Sequence, residues 1–216
     1  MTHHLLADVI VGLSAAASLW FLLAYCWRPP SVVKTLVKTV SVAGLAMGAF
    51  LIGGPLLLIV ALGLGALGDF LLSRPGPDAF LAGLIAFAVS HLAYIALLIG
   101  MGGVIAPSLA GAILVLLNIA MAVLLFRHAG ALRWPVLAYA VIIGVMGLAA
   151  LGLPPYLSLA TIAALCFVFS DLVLGLEMFV LPASHPLRRI TPFVIWLFYW
   201  AAQFLFLAAL GPYWVT

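Results

Sequence analysis

Residues 55–74 of the chain read PLLLIVALGLGALGDFLLSR. This apolar run approaches the roughly 20 residues that an α-helix needs to cross a bilayer, and it ends at the basic residue Arg74. Asp69 lies inside the run, where a charged side chain costs roughly 3 kcal/mol on insertion scales. Because such residues usually face a bundle interior or a water-filled cavity, the stretch predicts a membrane-spanning helix that carries a functional acid.

Similar apolar runs fill the rest of the chain. Of its 216 residues, 68% are hydrophobic and only 6% are charged, and the mean hydropathy of +1.41 excludes a soluble domain. We therefore predict an all-α fold, a polytopic integral membrane bundle that forms a single domain over residues 1–216. Breaks rich in Gly and Pro divide the chain into eight predicted spans, at residues 5–27, 35–52, 55–73, 79–99, 104–126, 133–150, 155–180 and 190–210.

The basic residues occur only at alternate connections between these spans. The first, third, fifth and seventh connections carry all eight of them, namely Arg28, Lys34, Lys38, Arg74, Arg127, Arg133, Arg188 and Arg189. Because cytoplasmic loops are enriched in Lys and Arg, we predict a multi-pass protein of the cell inner (plasma) membrane with both termini outside the cytoplasm. The basic residues form no continuous patch, so nucleic acid is not an expected partner.

A second acid repeats the surroundings of the first. Ser170-Asp171-Leu172-Val173-Leu174 and Gly68-Asp69-Phe70-Leu71-Leu72 share the pattern small-Asp-apolar-apolar-Leu. Asp171 lies on the seventh predicted span and Asp69 on the third, so the two spans run in the same direction. The pattern predicts a 4+4 parallel repeat with a site between the halves, and coincidence within an apolar alphabet is the alternative.

Other polar residues are predicted to lie at similar depths in the membrane. At about 1.5 Å per helical residue, Asp69 lies ~6 Å and Asp171 ~15 Å from the cytoplasmic ends of their spans. Lys38 is expected beside Asp69, and Tyr199 near the level of Asp171. We predict that one cavity open to the cytoplasm is lined by these acids and by the candidate binding residues Lys34, Lys38, His91, Tyr94, Asn118, Tyr199 and Gln203.

Each of these residues also has a purely structural alternative. Asp69 then forms only an ion pair with Lys38, and Asp171 only a hydrogen bond to a neighbouring helix. The histidine, tyrosine and amide candidates then hydrogen-bond across helix interfaces, and Glu177 meets Arg188 or Arg189 at the membrane surface. The sequence contains no metal-ligand or disulfide motif, so neither a metal nor a cofactor is expected.

The ordered set of motifs resembles the YhhN family of membrane proteins, which includes lysoplasmalogenases. A Lys-Pro pair at the start of span two would match that family more closely, but Thr39 follows Lys38 here, so Lys34 and Lys38 both stay candidates. The resemblance implies an eight-helix membrane fold, and hydrolysis of the vinyl ether bond of choline or ethanolamine lysoplasmalogens by Asp69 and Asp171. The matching pieces are Lys38, residues 68–72, Phe87, Ser90-His91, Tyr94, Ser170-Asp171, Leu174 and Tyr199 through Gln203.

Two carboxyl groups in different environments suit this chemistry. Protonation of the vinyl ether at its β-carbon gives an oxocarbenium ion, water captures the cation, and the hemiacetal collapses to a fatty aldehyde and a glycerophospho-alcohol. Burial favours a neutral carboxyl and a nearby ammonium favours a carboxylate, which suggests Asp171 as the acid and Asp69 as the base, with the reverse assignment open. As in glycosidases, we expect the carboxyl groups roughly 5–9 Å apart.

Two other classes of function are compatible with the sequence. Paired intramembrane acids also suit a small-solute or proton-coupled transporter, which needs polar residues along the whole path to the outer face. A non-catalytic lipid-binding or assembly protein would tolerate Asn at both acidic positions. For the hydrolase, the expected partners are a lysophospholipid substrate and membrane lipids, while the head group and the oligomeric state are left open.

Overall fold

The structure is a computed structural model that describes residues 2–211, and these residues form eight α-helices and no strand. The all-α bundle predicted from the apolar runs is confirmed. A π-helical turn, Phe21–Tyr25, extends the first helix, and another, Leu176–Val180, extends the seventh. The helices are α1 Thr2–Trp20, α2 Val32–Leu51, α3 Leu56–Leu72, α4 Pro77–Gly100, α5 Leu109–His128, α6 Arg133–Leu151, α7 Ser158–Gly175 and α8 Thr191–Leu210.

Seven of the helices in residues 2–211 are long and apolar enough to cross a membrane. The exception is α3, whose 17 residues lie at the lower end of the length range for a spanning helix. This short helix carries Asp69 three residues before its last residue. The chain is therefore a polytopic helical membrane protein.

The predicted span boundaries differ most at the fifth helix, which begins at Leu109 and not at residue 104. Pro107 disfavours helical backbone at the residue before it, and the Ser108 hydroxyl accepts a hydrogen bond from the Gly111 amide at 3.0 Å. Helix α2 begins earlier than predicted, at Val32, because the Ser31 side chain caps it through the amide of Lys34.

The packing order of the first four helices recurs in the last four. Consecutive helices pack against each other from α1 to α4 and again from α5 to α8. Helix α4 then packs against α6, and α8 packs against α2, so the second helix of each half meets the fourth helix of the other half. This order matches the arrangement expected of a 4+4 parallel repeat, and it leaves α1 and α5 at the outside of the bundle.

Within the described residues, helix α5 packs closely against only one end of the seventh helix, the end that is extended by its π-helical turn. It packs along α6 and against the π-helical turn Leu176–Val180. A small apolar cluster of Leu125, Ala129 and Val136 joins this end of α5 to Phe179. Within residues 2–211, α5 forms no comparable interface along the body of α7, so the two helices separate as they leave the connections that carry the basic residues.

The charge pattern predicts the outcome of a topology experiment. A reporter that is active only in the cytoplasm should be silent when fused after Thr216, and a reporter active only outside the cytoplasm should give a signal. The physical reason is the preference of Lys-rich and Arg-rich loops for the cytoplasmic side. The opposite pair of results would reverse the orientation that we predict.

Candidate functional site

Asp69 is held by two polar partners at the centre of the bundle. Its Oδ1 atom lies 2.9 Å from the Lys38 ammonium, and its Oδ2 atom accepts a hydrogen bond of 2.7 Å from the Tyr199 hydroxyl. The Asp69 side chain is 1% exposed and that of Lys38 is 22% exposed. Lys38 therefore connects a fully buried carboxylate to a more accessible position, and its charge compensates that of Asp69.

The hydrogen bonds continue from Asp69 into the bundle. Gln203 donates from Nε2 to the Tyr199 oxygen at 3.4 Å, and the Tyr94 hydroxyl donates to Gln203 Oε1. Gln203, Tyr94 and Tyr199 are all buried. Because a buried polar group without a partner is costly, this chain of bonds fixes the orientation of the Asp69 carboxylate.

Helix α3 can approach this network closely because it has no side chain at Gly65. A Cβ atom at that position would lie 2.5 Å from Gln203 Nε2 and 3.4 Å from the Tyr199 oxygen. We expect Gly65→Ala to lower the free energy of unfolding in detergent by about 1–3 kcal/mol, the usual cost of overpacking. Thermal unfolding of purified protein measures this effect.

Gly63→Ala is the matched control. Gly63 lies on the same helix as Gly65, but a Cβ atom there would have no neighbour within 4 Å. This variant should be neutral or slightly stabilising, because Ala is the better helix former. Equal stability of the two variants would contradict the close contact between α3 and the network.

Asp171 has different surroundings. Its Oδ2 atom accepts a hydrogen bond from the Tyr139 hydroxyl, and the Nε2 atom of His91 lies 3.8 Å from the same oxygen. His91 Nδ1 lies 2.6 Å from the Phe87 carbonyl oxygen, which can only accept, so the proton of a neutral ring is on Nδ1 and Nε2 is unprotonated. No Lys or Arg of the described residues pairs with Asp171.

Tyr199 bonds Asp69 and not Asp171, although its predicted depth is close to that of Asp171, and the orientation of α7 explains this. Ser170 donates to the carbonyl oxygen of Ile195 on α8 at 3.0 Å. Neighbouring side chains on an α-helix point about 100° apart. Asp171 therefore points away from α8, towards Tyr139 on α6 and His91 on α4.

The Phe167 ring lies between the two groups of polar residues. Its centroid is 4.5 Å from that of His91 and 5.3 Å from that of Tyr199. Both rings meet Phe167 edge to face, an arrangement that is favourable for aromatic pairs. The two acids are thus held in separate hydrogen-bonded clusters that share one apolar partner.

Both acids nevertheless line the same cavity, which has a volume of about 510 Å³. Lys34 and Lys38 from α2 also line it, together with Tyr199 from α8. Many apolar side chains from α5, α6 and α7 also line it, and they include Leu114, Leu117, Met121, Ile143, Leu165 and Phe169. The cavity is therefore amphiphilic, because charged side chains and hydrocarbon side chains both line it.

One end of the cavity, which we call its mouth, lies at the connections that carry the basic residues. Pro30 and Ser73 line it from the first and third connections, and Phe179 lines it from the end of the seventh helix. The Lys34 ammonium donates to the carbonyl oxygens of Cys26 at 3.3 Å and Arg28 at 2.6 Å, which ties the first connection to α2.

Glu177 also lines this mouth, and its contacts differ from the expectation. The Arg188 guanidinium donates to the backbone carbonyl oxygens of Glu177 and Leu181, not to the Glu177 carboxylate. The buried Glu177 Oε2 atom has no hydrogen-bond partner among the described residues. The connection between α7 and α8 is thus held through its backbone, and Arg188 does not pair with the Glu177 carboxylate.

Three of the candidate binding residues do not line the cavity as expected. His91, Tyr94 and Gln203 are 0% exposed and lie behind its wall, because their polar atoms point towards Asp171 or along the Tyr199 network. Asn118 does line the cavity, and it also donates to the Ala140 carbonyl oxygen at 2.9 Å, which joins α5 to α6. The buried candidates therefore orient residues of the wall.

Sequence reasoning missed Tyr139, the hydrogen-bond donor to Asp171. A signal was available in the proposed repeat, because Tyr139 precedes Asp171 by 32 residues and Lys38 precedes Asp69 by 31. Aligning the two halves on their aspartates places Tyr139 next to the position of Lys38. The structure thus gives one aspartate a cationic partner and the other a phenol from the corresponding helix.

These features define a class of protein, a helical multi-pass membrane protein with two intramembrane aspartates at one amphiphilic cavity. The family model described as the YhhN family matches residues 33–210, which is most of the chain, so the chain belongs to the YhhN family. The predicted resemblance is confirmed. No curated protein and no solved structure matches the chain.

Proposed function

We propose that this protein is a membrane-embedded hydrolase that cleaves the vinyl ether bond of lysoplasmalogens, with Asp69 and Asp171 as its catalytic residues. One observation carries the proposal: Asp69, which is fully buried, and Asp171, whose side chain is 10% exposed, line one cavity, and only Asp69 forms an ion pair with a lysine. Membership of a family that includes lysoplasmalogenases supports the substrate class. The cavity volume of about 510 Å³ is also within the usual range for ligand sites, about 300–1,000 Å³.

Asp171 is the proton donor in this proposal. An unprotonated His91 Nε2 beside Asp171 Oδ2 disfavours a carboxylate there, and no ammonium compensates its charge. The neutral carboxyl transfers its proton to the β-carbon of the vinyl ether, whose double bond supplies the electron pair. The product is an oxocarbenium ion, with positive charge shared between the α-carbon and the ether oxygen.

Asp69 stabilises this cation and activates water. The Lys38 ammonium and the Tyr199 hydroxyl both favour the ionised form of Asp69. The carboxylate takes a proton from a water molecule as the water oxygen bonds to the α-carbon, and a hemiacetal results. This division between an acid and a base follows the logic of glycosidases, whose transition states are also oxocarbenium-like.

Collapse of the hemiacetal restores both acids. The Asp171 carboxylate removes the hemiacetal hydroxyl proton, and the neutral Asp69 carboxyl protonates the departing glycerol oxygen. The carbon–oxygen bond to glycerol breaks, and a fatty aldehyde and a glycerophospho-alcohol are released. Water is the only co-reactant, and the step involves no oxidation or reduction.

Charges at the mouth suit a zwitterionic head group. Lys34 and Lys38 place positive charge where a phosphate would lie, and Glu177 lines the same cavity, where its carboxylate would attract the cationic nitrogen of an ethanolamine or choline group. By the charge pattern of the connections, we place this mouth on the cytoplasmic side of the inner membrane. The transporter alternative is less well supported, because the far end of the cavity is formed by Leu114, Ile143 and Leu165.

An aldehyde-release assay tests the proposed function. Purified protein in detergent should release a fatty aldehyde from a 1-alkenyl lysophospholipid. It should release none from the 1-alkyl analogue, which has the same head group and chain but no double bond to protonate. Failure to cleave choline and ethanolamine lysoplasmalogens would contradict the proposal.

A further inference from the structure

The apolar wall of the cavity is open to the surrounding membrane. Leu117 on α5 and Leu165 and Phe169 on α7 line the cavity, yet they are 54%, 38% and 44% exposed on the surface of the bundle. Because side chains this exposed lie at the surface of the bundle, we take the cavity to reach that surface between these two helices. The α5–α7 groove, defined by these three residues with Leu114 and Ile143, is therefore a lateral opening.

Helix packing explains why the groove exists. The end of α5 is held to Phe179 beyond α7 by its apolar cluster, whereas the bodies of α5 and α7 form no extensive interface within the described residues. Helix α6 forms the floor of the groove through Val136, Tyr139 and Ile143. The groove thus runs directly past Tyr139, the residue that holds Asp171.

The dimensions of the groove match an extended hydrocarbon chain. Leu125 and Leu114, the two ends of the α5 wall, are 11 residues apart, which is roughly 16 Å along the helix. On α7, Leu165 comes six residues before Asp171 in the sequence. This separation places Leu165 roughly 9 Å farther from the end of the helix at which the basic connections lie. An occupant therefore passes the acids and continues into an apolar channel.

We infer that the α5–α7 groove binds the hydrocarbon chain of a single-chain phospholipid, which enters sideways from the bilayer with its phosphate at Lys34 and Lys38. The identity of the lipid rests on the proposed function. The occupant follows from two features together, positive charge at one end of the cavity and an apolar wall open to lipid at the other. A lipid bound in this way keeps its chain in hydrocarbon from entry to reaction.

A photo-crosslinking experiment tests this inference without requiring cleavage. The probe is a 1-alkyl lysophospholipid with a diazirine near the end of its chain, which lacks the reactive double bond. We expect crosslinks to α5 and α7 peptides that contain Leu117 or Leu165, and we expect excess unlabelled 1-alkyl lysophospholipid to abolish them. General contact with lipid would instead label all outer helices, and competition would not remove that labelling.

Two pairs of matched variants locate the groove. Leu117→Trp should abolish the competed crosslinks, meaning those that excess unlabelled lipid removes, whereas Leu116→Trp should retain them. Leu116 is 67% exposed on the same helix but does not line the cavity. On α7, Leu165→Trp and Ile162→Trp form the second pair, and Ile162 is 50% exposed and also lies off the cavity wall.

The outcomes separate this inference from the proposed function. Competed crosslinks that are lost in a folded Leu117→Trp or Leu165→Trp variant support the groove, even if the wild-type protein cleaves no lysoplasmalogen. Crosslinks that persist in both variants overturn the groove as the chain site, even if the protein is an active hydrolase. Competed crosslinks confined to other helices overturn it as well.

Discussion

Asp171→Asn and Asp69→Asn should each lower the rate of aldehyde release from a lysoplasmalogen by about 10²–10⁴-fold, the usual contribution of a general acid or base. Asn has nearly the size of Asp and keeps an oxygen that accepts the hydrogen bond from Tyr139 or Tyr199. It cannot donate a proton to carbon or take one from water. The rate is measured with purified variants whose thermal unfolding shows that they are folded.

Asp78→Asn is the control for loss of a carboxylate. Asp78 lies in the first turn of α4, is exposed and is not part of the cavity. This variant should retain the wild-type rate. Near-normal turnover by both Asp69→Asn and Asp171→Asn would show that the acids are structural and that the proposed acid–base mechanism is wrong.

Lys38→Met should have the largest effect on stability. It leaves Asp69, which is 1% exposed, without the ammonium 2.9 Å from its Oδ1 atom. Removing one partner of a buried pair typically costs 3–5 kcal/mol, and we expect about 3 kcal/mol here because Lys38 is itself partly exposed. Thermal or denaturant unfolding in detergent measures the change.

Two further variants identify the cause of this loss. Lys34→Met on the same helix should cost much less, because the Lys34 ammonium binds backbone carbonyl oxygens and, among residues 2–211, no carboxylate. Lys38→Met combined with Asp69→Asn should regain most of the stability, since neither member of the pair is then charged. If Lys38→Met is no less stable than Lys34→Met, the ion pair does not stabilise the bundle.

The sequence was sufficient for the class of fold because the physical constraint is strong. A backbone in hydrocarbon must satisfy its hydrogen bonds internally, so eight long apolar runs separated by Pro and Gly lead to a helical bundle. Helix boundaries were less certain where an apolar run extends past the last helical residue. Residues 104–108 illustrate this, because Ile105 and Ala106 are apolar but Pro107 and Ser108 determine where α5 begins.

The sequence indicates which residues belong to the candidate site better than it indicates which of them bond to each other. Charged residues in apolar helices are rare enough to mark Asp69, Asp171 and Lys38 directly. The partners depend on the rotation of each helix about its axis, and the low amphipathicity of buried spans gives little information about rotation. The predicted depth of Tyr199 therefore does not indicate that it bonds Asp69, and composition alone does not distinguish Tyr139 from the aromatic residues that only pack.

The opening between α5 and α7 could not be predicted from the sequence. Leu116 and Leu117 are neighbours of the same type, and only the packing of α5 shows that one lines the cavity and the other does not. A binding surface made of hydrocarbon side chains in a hydrocarbon environment has no compositional signal. Its position could be found only from the arrangement of whole helices.

Hydrolysis in D₂O tests the central claim most directly, namely that the protein cleaves a vinyl ether by protonating its β-carbon. The aldehyde from a 1-alkenyl lysophospholipid is reduced with borohydride as it forms, and the fatty alcohol is analysed by mass spectrometry. We predict one deuterium at carbon 2 of the alcohol, beyond the amount exchanged by a control aldehyde incubated with the same protein. We also predict that the Asp69→Asn, Asp171→Asn double variant forms almost no product. An alcohol without deuterium at carbon 2, or the absence of any aldehyde from the wild-type protein, would contradict the account.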